Sequence, residues 1–273
     1  MKLLFLLLVL VLVNSLLHRE EEPLDLNPVA AAAERTREEP GARFTMEATY
    51  TSTALPRPMS AHGGGAYNSE TGLSEARLTM DSPIAGRIEI EAVGDGTSFY
   101  MRGNPISSEL PGGKEWMKVE PFLGHSQEEA MLGSDAASSL QMLSSASGVQ
   151  RVGREKVRGV PTRRFRAEVG LDEYGALLRE EGKDDLAEQY EEYATLMPTP
   201  PLVEVWIDSQ GIVRRNRMVM TMPTEPGQPS LQMDMRMDLY DFGAQPAIQL
   251  PDDSAVFDMT PVVEEQLDAL AEQ

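Results

Sequence analysis

Apolar and polar residues alternate along much of this chain, and this alternation predicts β-strands. In residues 44–51, Phe, Met, Ala and Tyr alternate with Thr and Glu, which is the period expected of a strand with one buried face. Similar runs follow at hairpin spacing, separated by turn signals such as Gly94-Asp95-Gly96. They occupy residues 64–68, 74–80, 87–93, 97–102, 115–119, 151–157, 162–169 and 231–239. The pattern therefore predicts antiparallel meanders.

The clearest hairpin is VEVWIDSQGIVRRNRMVM, residues 203–220. Asp208 suits the first position of a type I turn, and Gly211 suits the left-handed position of a G1 bulge. With that turn, Asp208 pairs with Ile212, and every second residue of each strand shares a face. This register puts Val203, Val205, Ile207 and Val213 on one face, and Trp206 and Arg214 on the other.

Helical patterns flank the predicted strands. Asn27 and Pro28 begin a helix that Pro40-Gly41 ends, and Thr260-Pro261 begins a final amphipathic helix. Between them, residues 127–132 and 135–145 predict short helices, and residues 172–197 predict one long helix despite Gly182. This order predicts one α+β domain, residues 28–273, in which a curved antiparallel sheet is covered on one face by helices.

The N-terminus predicts export. Lys2 precedes the apolar run of residues 3–13, as in a signal peptide, and even residues 3–17 fall short of the roughly 20 residues that span a bilayer. No small-x-small cleavage site follows directly, so an uncleaved N-terminal anchor remains the alternative. We therefore expect residues 1–17 to be a signal peptide or anchor, residues 18–27 a tether, and the rest extracytoplasmic.

Composition excludes several functions. The formal net charge of -20 over 273 residues argues against binding to nucleic acid and against broad docking on anionic lipid. We expect membrane contact only through the N-terminal segment or during transient ligand exchange. The absence of cysteine excludes thiol catalysis, thiolate metal sites, disulfides and an acylated cysteine anchor.

No motif in the chain predicts catalysis, a metal site or a cofactor. The three histidines, His18, His62 and His125, lack the spacing of a zinc site. The HGGG run at residues 62–65 resembles an esterase oxyanion motif but has no nucleophile elbow beside it, so we interpret the glycines as a strand bend.

Two features could bind a ligand. The basic run RVGREKVRGVPTRRFR, residues 151–166, is joined in composition by Arg214, Arg215 and Arg217. These arginines could meet a phosphate-bearing head group at a cavity rim, but a solvated face paired with the chain's excess carboxylates is the favoured alternative. The second feature is a methionine patch. Six of the 16 methionines fall on two adjoining strands, three on one face of each strand. They are Met218, Met220, Met222, Met233, Met235 and Met237.

Unbranched thioether side chains suit a pocket for flexible acyl chains, although they equally suit packing beneath a helix. On the first interpretation, the methionine patch lines the pocket, and Trp206, Arg214 and Arg215 lie at its edge.

The run VGREKVRGVPTRRFRAEV, followed after a helix by VEVWIDSQGIVRRNRM, resembles actinobacterial envelope lipoproteins of the LppX/LprG type. These belong to the LolA/LolB-like superfamily of lipid and lipoprotein carriers. ARFTMEATY and the pair GDGTSFYMR and PGGKEWMKVE support the resemblance, which covers about residues 27–242. It implies a half-barrel with helices across its concave face and a cavity for acyl chains. The lipobox cysteine of such lipoproteins is missing here, so anchoring by lipid is excluded.

These observations lead to two expectations about function. The first is a non-enzymatic extracytoplasmic carrier or sensor of a hydrophobic ligand, such as a lipid, glycolipid or lipoprotein acyl chain. The second is an envelope module of the same fold that binds a protein partner and no small ligand. A filled core would favour the second expectation over the first.

Overall fold

The computed structural model describes residues 27–84, 86–95, 98–119, 136–197, 199–222, 229–245 and 247–261. The predicted signal or anchor segment, the predicted helix at 127–132 and the final helix beyond residue 261 lie outside these ranges. Within them, no helix combines the length and the apolar composition needed to cross a membrane.

Twelve strands among the described residues form one sheet, in the order β12-β6-β5-β4-β3-β2-β1-β11-β10-β9-β8-β7. The strands are β1 Gly41–Thr51, β2 Met59–Asn68, β3 Leu73–Ser82, β4 Gly86–Gly94, β5 Phe99–Asn104, β6 Trp116–Val119, β7 Ala146–Val157, β8 Val160–Val169, β9 Leu202–Ile207, β10 Val213–Met222, β11 Leu231–Tyr240 and β12 Val256–Asp258. Strands β1 to β6 form one meander and β7 to β11 form the other. The predicted meanders are confirmed, and β12 is a strand that the sequence pattern did not predict.

The two meanders are joined by the antiparallel pairing of β1 with β11, in which Phe44 lies opposite Leu239. Strand β12 runs parallel to β6 and forms one edge, whereas β7 forms the other edge. The sheet is therefore large, unclosed and mostly antiparallel. This confirms the predicted fold class, an antiparallel half-barrel with helices on one face.

The described helices are α1 Pro28–Arg37, α2 Ile106–Glu109, α3 Ala136–Met142, α4 Leu171–Glu180 and α5 Asp184–Leu196. Helix α1 begins as predicted, because the Asn27 Oδ1 accepts the Ala30 N–H at 3.0 Å and Pro28 occupies the first turn. The single helix predicted for residues 172–197 is wrong. Gly182 has φ +76, a left-handed conformation that ends a helix, and it separates α4 from α5.

The core lies on one face of the sheet, which we call the inner face and define by Phe44 on β1 and Met237 on β11. Helices α1, α3 and α4 pack there through Val29, Leu140 and Tyr174, each at most 2 % exposed. Helix α1 contacts β7, β9 and β10, α3 packs on α1, and α4 packs on α5, whereas the short α2 contacts β5 and β6. Helices α1, α3 and α4 therefore cover the half of the inner face that belongs to the second meander.

Strand β2 is longer than predicted and carries the glycine run in its interior. Its pairing with β1 and β3 continues without interruption through Gly63, Gly64 and Gly65. A Cβ atom added at Gly65 would lie 1.8 Å from the carbonyl oxygen of Glu75. Glycine is therefore required here for close approach of two backbones.

Candidate functional site

The hairpin between β9 and β10 has the predicted turn. Asp208 N donates to the Ile212 carbonyl at 3.0 Å, Gly211 N donates to the Asp208 carbonyl at 3.2 Å, and Gly211 has φ +81. Beyond the turn the predicted register is wrong by one residue, because a bulge lies between Val213 and Arg215. Trp206 consequently lies opposite Arg215, and not opposite Arg214.

Arg214 is fixed at this bulge by two contacts. Its Nε donates to Asp208 Oδ2 at 2.7 Å, and its guanidinium group lies 4.6 Å from the centre of the Phe242 ring. An extra residue in one strand moves every later side chain of that strand to the opposite face of the sheet. The bulge therefore turns Met218 toward the inner face, where it lies opposite Val203.

The structure brings the methionine patch together on the inner face. Met218 lies opposite Met235 and Met220 lies opposite Met233 across the β10–β11 pair. Met218, Met233, Met235 and Met237 are between 1 % and 6 % exposed, whereas Met220 is partly buried; the side chain of Met222 lies outside the described set. These side chains pack against the helices, and contact with a ligand stays a prediction for them.

Trp206 lies on the opposite, outer face of the sheet. Its indole Nε1 donates to Glu155 Oε2 at 2.8 Å, and the guanidinium groups of Arg164 and Arg215 lie 5.0 Å and 5.5 Å from its ring centre. The structure thus brings Trp206 and Arg215 together but separates both from the methionine patch.

Two arginines of the basic run, Arg164 and Arg166, are paired with a carboxylate on this outer face. Glu204, only 4 % exposed, accepts from Arg164 at 2.6 Å and from Arg166 at 3.0 Å. Arg215 donates from two nitrogens to Asp238, at 2.6 Å and 2.7 Å. For these arginines, pairing with carboxylates on a sheet face is the alternative that the sequence favoured. A role for Arg214 and Arg215 at a cavity rim stays a prediction.

Ion pairs on this face lower the pKa values of two carboxylates, Glu204 and Asp234. Burial would raise the pKa of Glu204, but the hydrogen bonds from Arg164 and Arg166 outweigh it and hold that pKa below its usual range. The hydrogen bonds from Arg217 lower the pKa of Asp234 in the same way. Glu204 and Asp234 are therefore charged at neutral pH.

A second apolar area lies on the inner face of the first meander, where the register aligns side chains from β3 to β6. We call it the apolar strip and define it as Leu78, Met80, Ile88, Ala92, Met117 and Val119. Each of these residues is partly exposed, whereas Ile90 and Met101 on the same face are each 5 % exposed. In the methionine patch, four of the five described side chains are buried and Met220 is partly buried. Sequence reasoning missed this strip as a site, although the alternation in residues 74–80 and 87–93 contains it.

Two recesses lie on the faces of β2. One, of about 330 Å³, lies on the outer face over the glycine run and is walled by Arg43, Glu75 and Tyr240. The other, of about 180 Å³, lies where the β2–β3 turn meets α1 and α3, and is lined by Tyr67, Ser74, Arg37 and Leu140 among others. None of the methionine patch lines either recess.

Metal binding finds no support within the described ranges. No three residues among His, Cys, Asp and Glu lie together there in a way that could hold an ion. His62 is exposed on β2, while His18 and His125 lie outside those ranges.

No protein-family model and no curated protein matches the chain. Solved structures do match. Lipoprotein LppX of Mycobacterium tuberculosis is 12 % identical, with a TM-score of 0.45, and the match covers 84 % of this chain and all 100 % of LppX. LprF of Mycobacterium bovis is 14 % identical, with a TM-score of 0.43, over 84 % of this chain and 98 % of LprF.

A third match is a DUF1329 family protein from Desulfovibrio piger, 8 % identical with a TM-score of 0.33, over 82 % of this chain and 93 % of that protein. The sequence resemblance to LppX-type lipoproteins is thus confirmed as a similarity to solved structures at low identity. At these TM-scores, nothing about ligands or activity transfers from the matched proteins to this chain.

Proposed function

We propose that the protein is a non-enzymatic extracytoplasmic carrier or sensor that binds a hydrophobic ligand, such as a lipid or an acyl chain, on the inner face of its half-barrel. The observation that carries this proposal is the apolar strip. Its side chains continue the face that forms the core of the second meander, yet they remain partly exposed.

An acyl chain fits this surface chemically. The strip consists of aliphatic and thioether side chains, and three residues beside it on β2 and β3 are small: Gly63, Gly65 and Ala76. Small residues leave space above the sheet, and flexible methionine side chains adapt to varied chains. Each methylene group removed from water contributes about 0.8 kcal/mol, so a long acyl chain supplies enough free energy for tight binding.

The strip has no polar side chains of its own, which fits a binding role and does not fit catalysis. In the second meander, three carboxylates on the outer face of the sheet, Glu204, Asp234 and Asp238, are paired with arginines. Chemistry at the strip would need converging polar side chains, whereas the residues that define the strip are apolar.

The test is native mass spectrometry with lipid extraction on the purified full chain and on two variants. Ala76→Phe places a ring beside the strip, on the inner face. Arg77→Phe, its matched control, places the same ring on the outer face, where the Arg77 side chain is 83 % exposed. We expect acyl lipid bound to the wild type and to Arg77→Phe, with occupancy reduced about tenfold in Ala76→Phe.

Lipid lost equally from both variants would mean that the apolar strip is not the site. A wild-type protein that stays empty after incubation with phospholipid, acylglycerol and free fatty acid would refute the proposal.

A second candidate function is a module that binds an envelope protein. The observation in its favour is the filled core at the methionine patch, where Met237 is 1 % exposed. Packing of this kind favours a role without a small ligand at Met237. If the protein binds no lipid, this second function is the one to pursue.

A further inference from the structure

Tyr67 carries a buried hydroxyl group that has no hydrogen-bond partner within the described ranges. The residue is 2 % exposed and lies on the inner face, opposite Ala42 on β1 and Ser74 on β3. A buried hydroxyl group without a partner costs free energy. Tyr67 also lines a recess, and a buried hydroxyl group without a partner beside a recess is a candidate contact for a bound molecule.

The recess that Tyr67 lines has room for such a molecule. Its volume is about 180 Å³, which corresponds to about six water molecules at roughly 30 Å³ each. Ser74 also lines it, and the next inner-face residues along β3 are Ala76 and then Leu78 of the apolar strip. The recess therefore adjoins the surface that we assign to the acyl chain.

The charges around the recess disfavour an anion. Arg37 lines it, but its guanidinium group already contacts Glu34 at 3.2 Å and Glu181 at 3.8 Å. Burial, and then the negative charge of Glu39, raise the pKa of Tyr67 well above its usual range. The hydroxyl group thus stays protonated and is able to donate a hydrogen bond. Among the lining residues, a carboxylate or phosphate would meet one cation, Arg37, which two carboxylates already engage.

We infer that the recess at Tyr67 binds the uncharged carbonyl group of an acyl ester, with the Tyr67 hydroxyl donating to that carbonyl oxygen while the acyl chain lies along the apolar strip. This inference rests on the proposed function, and it makes Tyr67 the residue that distinguishes esters from fatty acids and from ethers.

The experiment compares three lipids by native mass spectrometry of the full chain: dioleoylglycerol, the matching dialkyl ether, which lacks the carbonyl groups, and oleate. A lost neutral hydrogen bond weakens binding about tenfold. We expect the wild type to prefer the ester over the ether by about that factor and to bind oleate more weakly than the ester. Tyr67→Phe should bind ester and ether equally.

The matched control is Tyr50→Phe, which removes a hydroxyl group from the other buried inner-face tyrosine, also 2 % exposed, and should keep the preference for the ester. Thermal unfolding supplies a second measurement. Because the Tyr67 hydroxyl has no partner in the free protein, its removal should raise the midpoint by about 3 °C.

Three outcomes would overturn the inference while leaving the proposed function in place. The first is lipid binding by the wild type without a preference for the ester, and the second is an unchanged preference in Tyr67→Phe. The third is a lower unfolding midpoint of Tyr67→Phe, which would show that the hydroxyl group makes a structural hydrogen bond. Tighter binding of oleate than of the ester would overturn the assignment of an uncharged group. A wild type that binds none of the three lipids would overturn both proposals. The wild-type comparison of ester with ether remains decisive even if the variant does not fold.

Discussion

The carboxylate of Asp208 accepts a hydrogen bond from Arg214 Nε at 2.7 Å, and this contact fixes the bulge that decides which face of β10 the methionines occupy. The other oxygen of Asp208 accepts the backbone N–H groups of Gln210 and Ile212, at 2.8 Å and 3.0 Å. One side chain therefore determines both the turn and the register that follows it.

Asp208→Ala should lower the free energy of unfolding by about 3 kcal/mol, because it leaves two backbone donors and a partly buried arginine without their acceptor. Asp208→Asn keeps one oxygen for the backbone and should cost about 1 kcal/mol. Urea unfolding measures both variants. A loss below about 0.5 kcal/mol for Asp208→Ala would show that the turn and bulge form without this carboxylate.

Gly65→Ala should prevent folding or destabilise the protein by more than about 4 kcal/mol, because its Cβ would lie 1.8 Å from the Glu75 carbonyl oxygen. The matched control is Gly153→Ala on β7, where an added Cβ meets no atom within 4 Å. Alanine is favoured over glycine in a strand by about 0.5–1 kcal/mol, so the control should be slightly more stable than the wild type. Circular dichroism during thermal unfolding distinguishes the two, and equal stability of both variants would contradict the expectation.

Stability should fall as the pH drops below the unfolded-state pKa of a glutamate, about 4.3. Hydrogen bonds from arginines hold the pKa values of Glu204 and Asp234 below their usual ranges in the folded protein. As the pH falls, the unfolded chain therefore takes up these protons before the folded protein does. The two carboxylates stabilise the fold fully above their pKa values in the unfolded chain, and this stabilisation is lost as the pH falls through their pKa values in the folded protein.

Glu204→Gln should lower stability at pH 7 by about 2 kcal/mol and flatten the dependence on pH, since one of these carboxylates is then missing. Denaturant unfolding at several pH values between 7 and 3 measures the effect. A variant curve parallel to that of the wild type would show that Glu204 does not contribute to acid sensitivity.

Mild oxidation with hydrogen peroxide should modify Met80 and Met117 of the apolar strip before Met235 and Met237, because only the first pair is partly exposed. A bound acyl lipid should protect the first pair. Peptide mass spectrometry with and without lipid measures both effects. Protection of Met235 or Met237 instead would place the ligand at the methionine patch, as the sequence predicted.

Local sequence signals predicted the parts of the fold that depend on neighbours in the chain. The Asn27 cap, the turn at Asp208 and the alternation of β11 each depend on a few adjacent residues, and each is present. The register after that turn could not be predicted, because the bulge at Arg214 also depends on Phe242, which lies on a segment far along the chain. Strand β12 was missed because three residues carry too short a pattern.

The candidate site was only partly predictable for the same reason. The methionine patch is the stronger pattern in the sequence, yet four of its side chains are buried in one core with residues from helices α1, α3 and α4. The apolar strip has an equally regular alternation, but only the arrangement of the helices shows which of the two surfaces remains partly exposed. The unpartnered Tyr67 hydroxyl group has no sequence signal at all.

The pairing of Phe44 with Leu239 also has a consequence for the order of folding. The first meander is built from hairpins between adjacent segments, and the second consists of the units β7–β8 and β9–β11, which helices α4 and α5 connect. These units can form early, whereas the seam between β1 and β11 joins segments from opposite ends of the domain. Contacts of such high sequence separation form slowly, since closing the intervening loop costs entropy. Until β11 is synthesised and docked, β1 remains an edge strand with unpaired backbone groups, so a chain truncated before residue 231 would present a surface prone to aggregation.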